Sequence, residues 1–315
     1  MGLIDMSKFL ITGATGFIGT ALLQVLMQEN VDVIAVVRTA RDISRFEHFP
    51  NVRFVACDMH NYKDLPLLIS EKDIDICIHL AWDGSTGKPR ADYNLQLDNT
   101  RFTLDLVEAL ARMNVKRFIG AGTLAEKDVL QYHPNDGSVP DIVSTYGISK
   151  MTTHFMTKVL CINLGIEHVW CYLSNTYGVG NHTKNFINFA CNLMLHGERA
   201  SFTCAEQMYD FVYITDTAKA LYLVSKKGKP NTAYYLGSTR PRILKEYINI
   251  IRDEIDPSIE LHFGEIPFHG VPLPPEAYDC KSLIQDTGYV ATVSFEEGIK
   301  QTVLWLRDEI IKKNW

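Results

Sequence analysis

The chain has 315 residues, 46% hydrophobic and 22% charged, which is the balance of an ordinary soluble globular protein. The formal net charge of −6 gives no reason to expect a nucleic acid or an anionic membrane as a partner. No apolar run approaches the roughly 20 residues of a membrane span, and no secretory signal is visible at the start. Seven irregularly spaced cysteines, without a Cys-x-x-Cys pair, predict reduced thiols in the cytoplasm rather than disulfides or a zinc site.

The first half of the chain alternates short β-rich runs with longer helical patterns, which is typical of a parallel sheet covered by helices on both faces. The predicted strands are Lys8–Thr12, Asp32–Val37, Val52–Cys57, Ile74–Leu80, Arg117–Ala121 and His168–Leu173. The predicted helices between them are Ile18–Glu29, Asn94–Met113 and Ser149–Asn163. The fold class is therefore α/β, with a doubly wound parallel sheet.

The alternation breaks down after Asn175. Strands are predicted at Phe211–Ile214 and Tyr234–Leu236, and a proline-rich loop at Ile266–Pro275. The predicted helices are the later part of Asn181–Gly197, then Thr215–Lys226, Leu244–Glu254 and Phe295–Ile311.

This change of pattern predicts two domains. The first covers residues 1–175, with part of 205–240 returning to it, and the second is a small α/β cap over 176–204 and 235–315. We expect the cap on the C-terminal side of the sheet, because ligands of open α/β sheets bind at that edge. The cleft beneath the cap is then the expected active site.

A glycine-rich turn directly follows the first predicted strand. Gly13, Gly16 and Gly19 recur at three-residue spacing and lead into a helix. Such glycines permit close approach of backbone to phosphate, and the helix start directs free N–H groups and a positive dipole at an anion. In this strand–turn–helix setting the pattern predicts a Rossmann-type site for a dinucleotide pyrophosphate. The residues assigned to it are Gly13, Thr15, Gly16, Phe17, Ile18 and Gly19.

The tip of the second predicted strand indicates which dinucleotide is bound. An NAD site usually has an acidic residue there, about 20 residues after the glycines, to hold the ribose 2′-hydroxyl. Here the strand ends in Arg38, with Arg41 and Arg45 close behind. An arginine pairs well with a 2′-phosphate. The sequence therefore favours NADP(H), with NAD(H) as the alternative.

A second motif, Tyr146-Gly-Ile-Ser-Lys150, places a phenol and an ammonium on one helical face. A free phenol has a pKa of about 10, and a neighbouring ammonium favours the phenolate and brings that pKa toward neutrality. Tyr146 could then give a proton to a carbonyl oxygen as hydride reaches the carbon. Thr123, the first hydroxyl after the strand at Arg117, is the predicted partner that orients this oxygen.

At these residues the chain resembles the extended short-chain dehydrogenase/reductases, in particular their nucleotide-sugar epimerase/dehydratase/reductase family. The resemblance spans most of the chain. The matching segments are Gly13–Gly19, Asp58, His79–Ala81, Thr123, Tyr146–Lys150, Ser174–Gly178 and Asp210–Asp216.

The resemblance implies roles for residues that spacing alone does not assign. It implies that Asp58, with Met59 beside it, contacts adenine and that Leu80 and Ala81 line the cofactor. Asn175 stands where the family commonly touches substrate. The catalytic triad implied by the resemblance is Thr123, Tyr146 and Lys150.

Departures from the family pattern narrow the expected reaction. Dehydratases of this family carry Asp-Glu after the catalytic threonine, and fucose-synthase-type enzymes carry a cysteine two residues after it, whereas this chain has Leu124 and Ala125. The 4-epimerases usually have an acid where Arg38 stands. The resemblance therefore implies an NADPH-dependent reductase of a C4 keto group on a nucleotide-activated deoxysugar.

Other departures concern the substrate. Tyr209 replaces the usual arginine that contacts the diphosphate, and Gln96 replaces an asparagine four residues before Thr100. Lys184 is the predicted substitute for the diphosphate contact, and Trp82 is predicted to lie over the substrate.

Three alternatives stay open: a 4-epimerase with tightly held NAD, a reductase of small non-nucleotide carbonyl compounds, and a cofactor sensor with a dead site. His133 and His182 lack acidic partners at ligand spacing, so no metal is expected. The resemblance also implies a homodimer through the helices at Asn94–Met113 and Ser149–Asn163.

Overall fold

The computed structural model describes residues 7–313 apart from 40–42, 44–45, 47–48, 133–136, 138–139, 143 and 271. Arg41, Arg45 and His133 lie outside the described residues. The strands are β1 (Lys8–Thr12), β2 (Asp32–Val37), β3 (Val52–Ala56), β4 (Ile76–His79), β5 (Arg117–Thr123), β6 (Glu167–Leu173), β7 (Asn175–Tyr177), β8 (Ala200–Phe202), β9 (Met208–Tyr209), β10 (Phe211–Tyr213), β11 (Thr232–Leu236), β12 (Arg242–Ile243) and β13 (Leu261–Phe263).

The α-helices are α1 (Phe17–Gln28), α2 (Leu65–Leu68), α3 (Tyr93–Arg112), α4 (Ala125–Val129), α5 (Ser144–Leu164), α6 (Phe186–Leu195), α7 (Ile214–Lys227), α8 (Leu244–Ile255), α9 (Lys281–Thr287) and α10 (Phe295–Lys313). Short 3₁₀ helices cover Met59–Asp64, Lys88–Ala91 and Pro275–Tyr278.

Seven of the strands form one parallel sheet in the order β11-β6-β5-β4-β1-β2-β3. From β1 the chain moves outward to β3, crosses back to β4 and continues outward on the other side. This is the doubly wound Rossmann order, so the predicted α/β fold class is confirmed. The order reverses between β1 and β4, and ligands of such sheets bind at the carboxyl ends of the strands beside that point.

Both faces of the sheet are covered, which explains why its strands are continuous apolar runs. Phe9 and Ile11 of β1 point to one core, which includes Leu22 of α1. Leu10, between them, points to a second core, which includes Leu106 of α3. The period of two along a strand sends neighbouring side chains to opposite layers.

Several predicted boundaries differ from the structure, and three of these differences bear on the site. β4 is shorter than Ile74–Leu80, while β5 continues two residues beyond the predicted end because its ladder with β6 still pairs Thr123 with Leu173. α5 begins at Ser144, five residues before the predicted start. Thr123 therefore ends a strand, and the Tyr-Lys motif lies in the first two turns of α5.

The second half of the chain returns to the main sheet through β11, which pairs with β6. Three further strand pairs, β7–β10, β9–β12 and β8–β13, belong to this half. Asp216 in α7 is buried and accepts hydrogen bonds from the backbone N–H groups of Thr292 (3.0 Å) and Val293 (2.9 Å). This carboxylate joins the segment that precedes α10 to the start of α7.

In the described part of the chain, no helix has the length and hydropathy needed to cross a membrane. Nor do any three of the described His, Cys, Asp and Glu side chains group as metal ligands. His182 packs against Trp305, with 5.2 Å between the ring centroids. All seven cysteines are free thiols, and all but Cys204 are buried.

Candidate active site

A first cavity of about 390 Å³ opens at the carboxyl ends of β1, β2 and β4. Gly13 starts its floor with φ of +69°, and a Cβ there would lie 2.7 Å from the backbone nitrogen of Ala81. Only glycine therefore allows β1 to turn this close to the segment after β4. The lining residues are Gly13, Thr15, Gly16, Val36, Val37, Arg38, Cys57, Met59, Tyr62, Leu80, Ala81, Trp82 and Asp83.

The start of α1 faces this cavity and fits a pyrophosphate. Gly16 caps the helix with ordinary extended backbone (φ −73°), and it is exposed. No described side chain caps this helix, and its first turn holds no acidic residue. The first N–H groups of a helix have no intrahelical partner, so an anion can receive them here. Gly19 is buried behind the turn, where a Cβ would lie 2.2 Å from the Gly13 carbonyl oxygen.

Arg38 lies on the cavity wall, where two carboxylates already face it. Its Nη2 donates to Asp83 Oδ1 at 2.5 Å, and its Nε lies 4.0 Å from Asp58 Oδ2. Asp58 caps the 3₁₀ helix Met59–Asp64 and accepts a hydrogen bond from the His60 backbone N–H at 3.0 Å. Burial opposes ionisation of Asp58, but hydrogen bonds with the side chain and the backbone N–H of His60, together with the charge of Arg38, hold its pKa below the ordinary value.

Of the residues predicted to bind the cofactor, seven line this cavity and the others adjoin it. Phe17 and Ile18 form the first turn of α1, and Asp58 stands between the lining residues Cys57 and Met59. Tyr146 and Lys150 contact the indole of the lining residue Trp82.

A second cavity of about 240 Å³ opens beside the ends of β5, β6 and β9. Thr123 and Asn175 line it, as does Tyr209. Part of the predicted proline-rich loop closes one side through Phe268, Gly270, Pro272 and Leu273. Lys184, the predicted diphosphate contact, is exposed and is outside the lining of both cavities. The structure therefore does not bring Lys184 to the other site residues.

Tyr146 lies between lining residues of the two cavities: it contacts Trp82 of the first, and Arg90 and Thr123 of the second. Burial raises its pKa to about 12, while a hydrogen bond with Thr123 and the charge of Arg90 act in the opposite direction. The Arg90 guanidinium lies over the Tyr146 ring, 4.6 Å from its centroid, and Trp82 packs edge-on at 6.1 Å. Tyr146 is 8% exposed, so solvent reaches only its edge.

Lys150 is buried one helical turn from Tyr146, and its Nζ donates to the Ala121 carbonyl at 2.7 Å. The same nitrogen lies 3.7 Å from the centroid of the Trp82 ring. Burial lowers the pKa of Lys150 to about 7, with Glu126 opposing that shift. The positive charge that faces the Tyr146 ring here belongs to Arg90, so the acidification of Tyr146 by Lys150 stays a prediction.

Two acidic residues after Thr123 escaped the sequence reasoning. Glu126 is 1% exposed and accepts hydrogen bonds from the Thr123 backbone N–H (2.8 Å) and from Trp170 Nε1 (3.2 Å). Asp128 lines the second cavity, and burial raises its pKa to about 6 against the charge of Arg90. The only sequence signal for them was a pair of acidic residues three and five positions after Thr123. The family pattern was compared only at the two positions directly after Thr123.

Gln96 has a different role from the asparagine that the family comparison led us to expect. It is fully buried and its amide holds the loop after β4: Oε1 accepts from Trp82 Nε1 at 2.8 Å, and Nε2 donates to the carbonyls of Gly84 and Pro89. Asn99 lies one turn further along α3, four residues before Thr103. It has the expected spacing and holds the same loop.

A family model described as the NAD dependent epimerase/dehydratase family matches residues 9–237, which is more than half of the chain. The chain belongs to this family. The resemblance to extended short-chain dehydrogenase/reductases is thereby confirmed, and with it the assignment as an enzyme of that NAD(P)-dependent type.

Two curated relatives match nearly the whole chain at low identity. A CDP-abequose synthase from Salmonella muenchen is 26% identical over 305 residues, covering 95% of this chain and 98% of that protein. A putative UDP-glucose 4-epimerase from Methanocaldococcus jannaschii is 27% identical over 315 residues, with coverage of 95% and 98%.

Solved structures share the fold. The UDP-glucose 4-epimerase of Thermotoga maritima, determined with UDP-glucose, superposes with a TM-score of 0.79 at 21% identity, covering 96% of this chain and 99% of that one. The Bordetella bronchiseptica enzyme WbmF, determined with NADH, gives a TM-score of 0.78 at 20% identity, with coverage of 99% and 95%.

Proposed function

We propose that this enzyme is an NADPH-dependent ketoreductase that reduces the C4 keto group of a nucleotide-activated deoxysugar. One observation carries the proposal: Tyr146 lies between residues that line the two cavities. Its ring contacts Trp82 from the first cavity and Arg90 from the second, and its hydroxyl is paired with Thr123. A proton donor at that position serves a reaction in which cofactor and substrate enter from different sides.

The first cavity fits a nicotinamide dinucleotide because the start of α1, which no described side chain caps, and the glycine turn both face it. The pyrophosphate would be held by the backbone of Gly13, Thr15 and Gly16 with the first turn of α1, and the adenosine by Arg38, Asp58 and Met59. Leu80 and Ala81 would back the cofactor, and Lys150 would hold the nicotinamide ribose. The bound cofactor supplies the hydride for the carbonyl carbon.

The chain's own residues then manage the carbonyl oxygen. Thr123 donates a hydrogen bond that orients it, and Tyr146 donates its proton as negative charge develops there. Arg90 stabilises the phenolate that remains on Tyr146, because an opposite charge within a few ångströms favours the ionised form. Losing one donor from such a site typically lowers the rate about 10²–10³-fold.

The substrate class rests on the relatives, whose names are those of nucleotide-sugar enzymes. The second cavity would hold the sugar, with Asn175 and Trp82 in contact with it, beneath a cap formed by 176–204 and 235–315. Tyr209 in place of a diphosphate-binding arginine keeps a small non-nucleotide carbonyl compound as an alternative substrate.

A 4-epimerase with tightly held NAD is the second candidate. The pairing of Arg38 with Asp83 favours it, because the charge expected to attract a 2′-phosphate is already partnered. Several structural neighbours were determined with NAD or NADH, which also supports this candidate.

One assay separates the two candidates. The purified protein is analysed for bound dinucleotide, then mixed with NADPH and a panel of 4-keto nucleotide sugars. The reductase proposal predicts exchangeable cofactor and one NADPH oxidised for each sugar reduced. Tightly held NAD, with interconversion of 4-epimeric UDP-sugars and no net oxidation, would establish the epimerase instead.

We also propose that two copies of the chain pair through α3 and α5. Leu97 of α3 and Phe155, Val159 and Ile162 of α5 are each more than half exposed. Residues 155, 159 and 162 follow helical spacing, so they form one apolar stripe. Contiguous exposed apolar surface of this kind marks protein–protein contacts.

A further inference from the structure

The ion pair between Arg38 and Asp83 crosses the mouth of the first cavity. Arg38 follows β2 and Asp83 lies shortly after β4, and these two strands flank β1 on opposite sides. Both residues line the cavity. The pair therefore bridges the space above the end of β1, where the glycine turn begins.

Asp83 is held in place by its own backbone. Its N–H donates to Asn99 Oδ1 at 2.9 Å, and its carbonyl accepts from Asn99 Nδ2 at 2.8 Å. Asn99 is 2% exposed on α3, so it is a fixed support. The Arg38 side chain is 62% exposed and the Asp83 side chain 35% exposed. Asn99 thus fixes the backbone that carries the anion.

Among the described residues, two carboxylates already face the single guanidinium of Arg38: Asp83 and Asp58, the latter with His60 Nδ1 at 2.5 Å from its Oδ1. A ribose 2′-phosphate adds about two more negative charges, as phosphate monoesters do near neutral pH. It must compete with Asp83 for Arg38 and approach both carboxylates, whereas a neutral 2′-hydroxyl has neither cost.

We propose that Asp83 is a specificity-determining residue for the cofactor: it occupies Arg38 as a built-in anion and reduces the advantage that Arg38 alone would give a 2′-phosphate over a 2′-hydroxyl. This inference rests on the dinucleotide site of the proposed function. The choice between NAD and NADP would then depend on the contact between the segments after β2 and β4, and not on the residue at the end of β2 alone.

The test measures equilibrium binding of NAD⁺ and NADP⁺ by isothermal titration calorimetry, without substrate or turnover. Asp83→Asn keeps the size and the backbone hydrogen bonds but removes the charge. We expect it to tighten NADP⁺ binding about tenfold and to change NAD⁺ binding by less than about threefold. In the Arg38→Gln background the same change should give a smaller gain, because the competition for the guanidinium is gone.

Glu71→Gln is the matched control, because Glu71 forms an ion pair with Arg53 at 2.7 Å and neither residue lines the cavity. It should leave both affinities unchanged. An unchanged ratio of NADP⁺ to NAD⁺ affinity in Asp83→Asn, with both dinucleotides still bound, would overturn this inference and leave the proposed function standing. Failure of the unaltered protein and of Glu71→Gln to bind either dinucleotide would overturn both.

Discussion

At the scale of single residues, the environment of Tyr146 decides what the site can do. The Tyr-x-x-x-Lys spacing was enough to predict that Tyr146 and Lys150 share a helical face, because helix geometry alone brings such residues together. Arg90 could not be predicted, since it reaches the Tyr146 ring from the short 3₁₀ helix Lys88–Ala91, whose position no periodic pattern encodes. The sequence thus predicted a proton donor but not the cation that lies over its ring.

Arg90→Gln should raise the pKa of Tyr146 further above about 12, because a charge that lowers it is removed. Oxidation of an alcohol substrate needs the phenolate, so at a fixed pH below that pKa the rate should fall about tenfold for every unit by which the pKa of Tyr146 rises. The pH dependence of kcat for oxidation and the tyrosinate absorbance, each compared with Arg90→Lys, measure this. Identical pH profiles for the Gln and Lys variants would show that Arg90 has no electrostatic role.

Lys150→Met should change how stability depends on pH. Burial lowers the pKa of Lys150 to about 7 in the folded protein, against about 10.4 in an unfolded chain. Between these values the unfolded state binds more protons, so the unaltered protein should gain stability as pH rises. Between pH 7 and pH 9 the free energy of unfolding of the unaltered protein should rise by about 2 kcal/mol more than that of Lys150→Met. Urea unfolding of both proteins at the two pH values measures this. If the two proteins differ by the same unfolding free energy at both pH values, Lys150 is protonated in the folded protein as it is in the unfolded chain.

At the scale of elements, β5 shows why the sequence pattern ended the predicted strand two residues before Thr123. Its glycines made the run look like a strand ending at Ala121, yet they are required by Trp170 on β6. A Cβ on Gly120 would lie 2.2 Å from the Trp170 ring, and one on Gly122 would lie 2.1 Å from Trp170 Nε1. Such a contact between strands is set by pairing register, which a single run of residues does not reveal.

Gly122→Ala and Gly120→Ala form a matched pair of tests. Both should destabilise the fold by about 1–3 kcal/mol, because the added methyl group overpacks against Trp170. Only at Gly122 does the new Cβ also approach Glu126, at 2.5 Å from Oε1, and Glu126 holds the Thr123 backbone. We therefore expect the larger loss of kcat for Gly122→Ala, measured on folded protein with melting temperatures as the control. Equal kcat losses would mean that Glu126 does not transmit the change to Thr123.

At the scale of the whole molecule, the alternation of strands and helices was sufficient to predict the doubly wound sheet. The second half was harder, because its short strands pair with distant partners, such as β8 with β13, and leave little periodic signal. Residues of the second cavity such as Phe268 and Tyr278 come from that half, so sequence reasoning predicted Asn175 but not these two residues.

Phe155→Glu combined with Val159→Glu should convert the proposed dimer into a monomer, because two charges would be buried in an apolar contact. Sedimentation equilibrium should report twice the chain mass for the unaltered protein and the single mass for this variant. Val290→Glu, which changes an exposed apolar residue outside α3 and α5, should leave the dimer intact. A single chain mass for the unaltered protein would contradict the proposed pairing.

We expect the Tyr146 hydroxyl to donate the proton when hydride passes from a dinucleotide in the first cavity to a carbonyl carbon in the second. Tyr146→Phe removes that oxygen and keeps the ring that Arg90 and Trp82 contact. Oxidation of NADPH, or of NADH if that is the cofactor found, by an active keto nucleotide sugar should fall by at least about 10²-fold in this variant. Binding of the dinucleotide, measured in parallel, should persist. Turnover within a few-fold of the unaltered enzyme, with cofactor bound, would contradict the account.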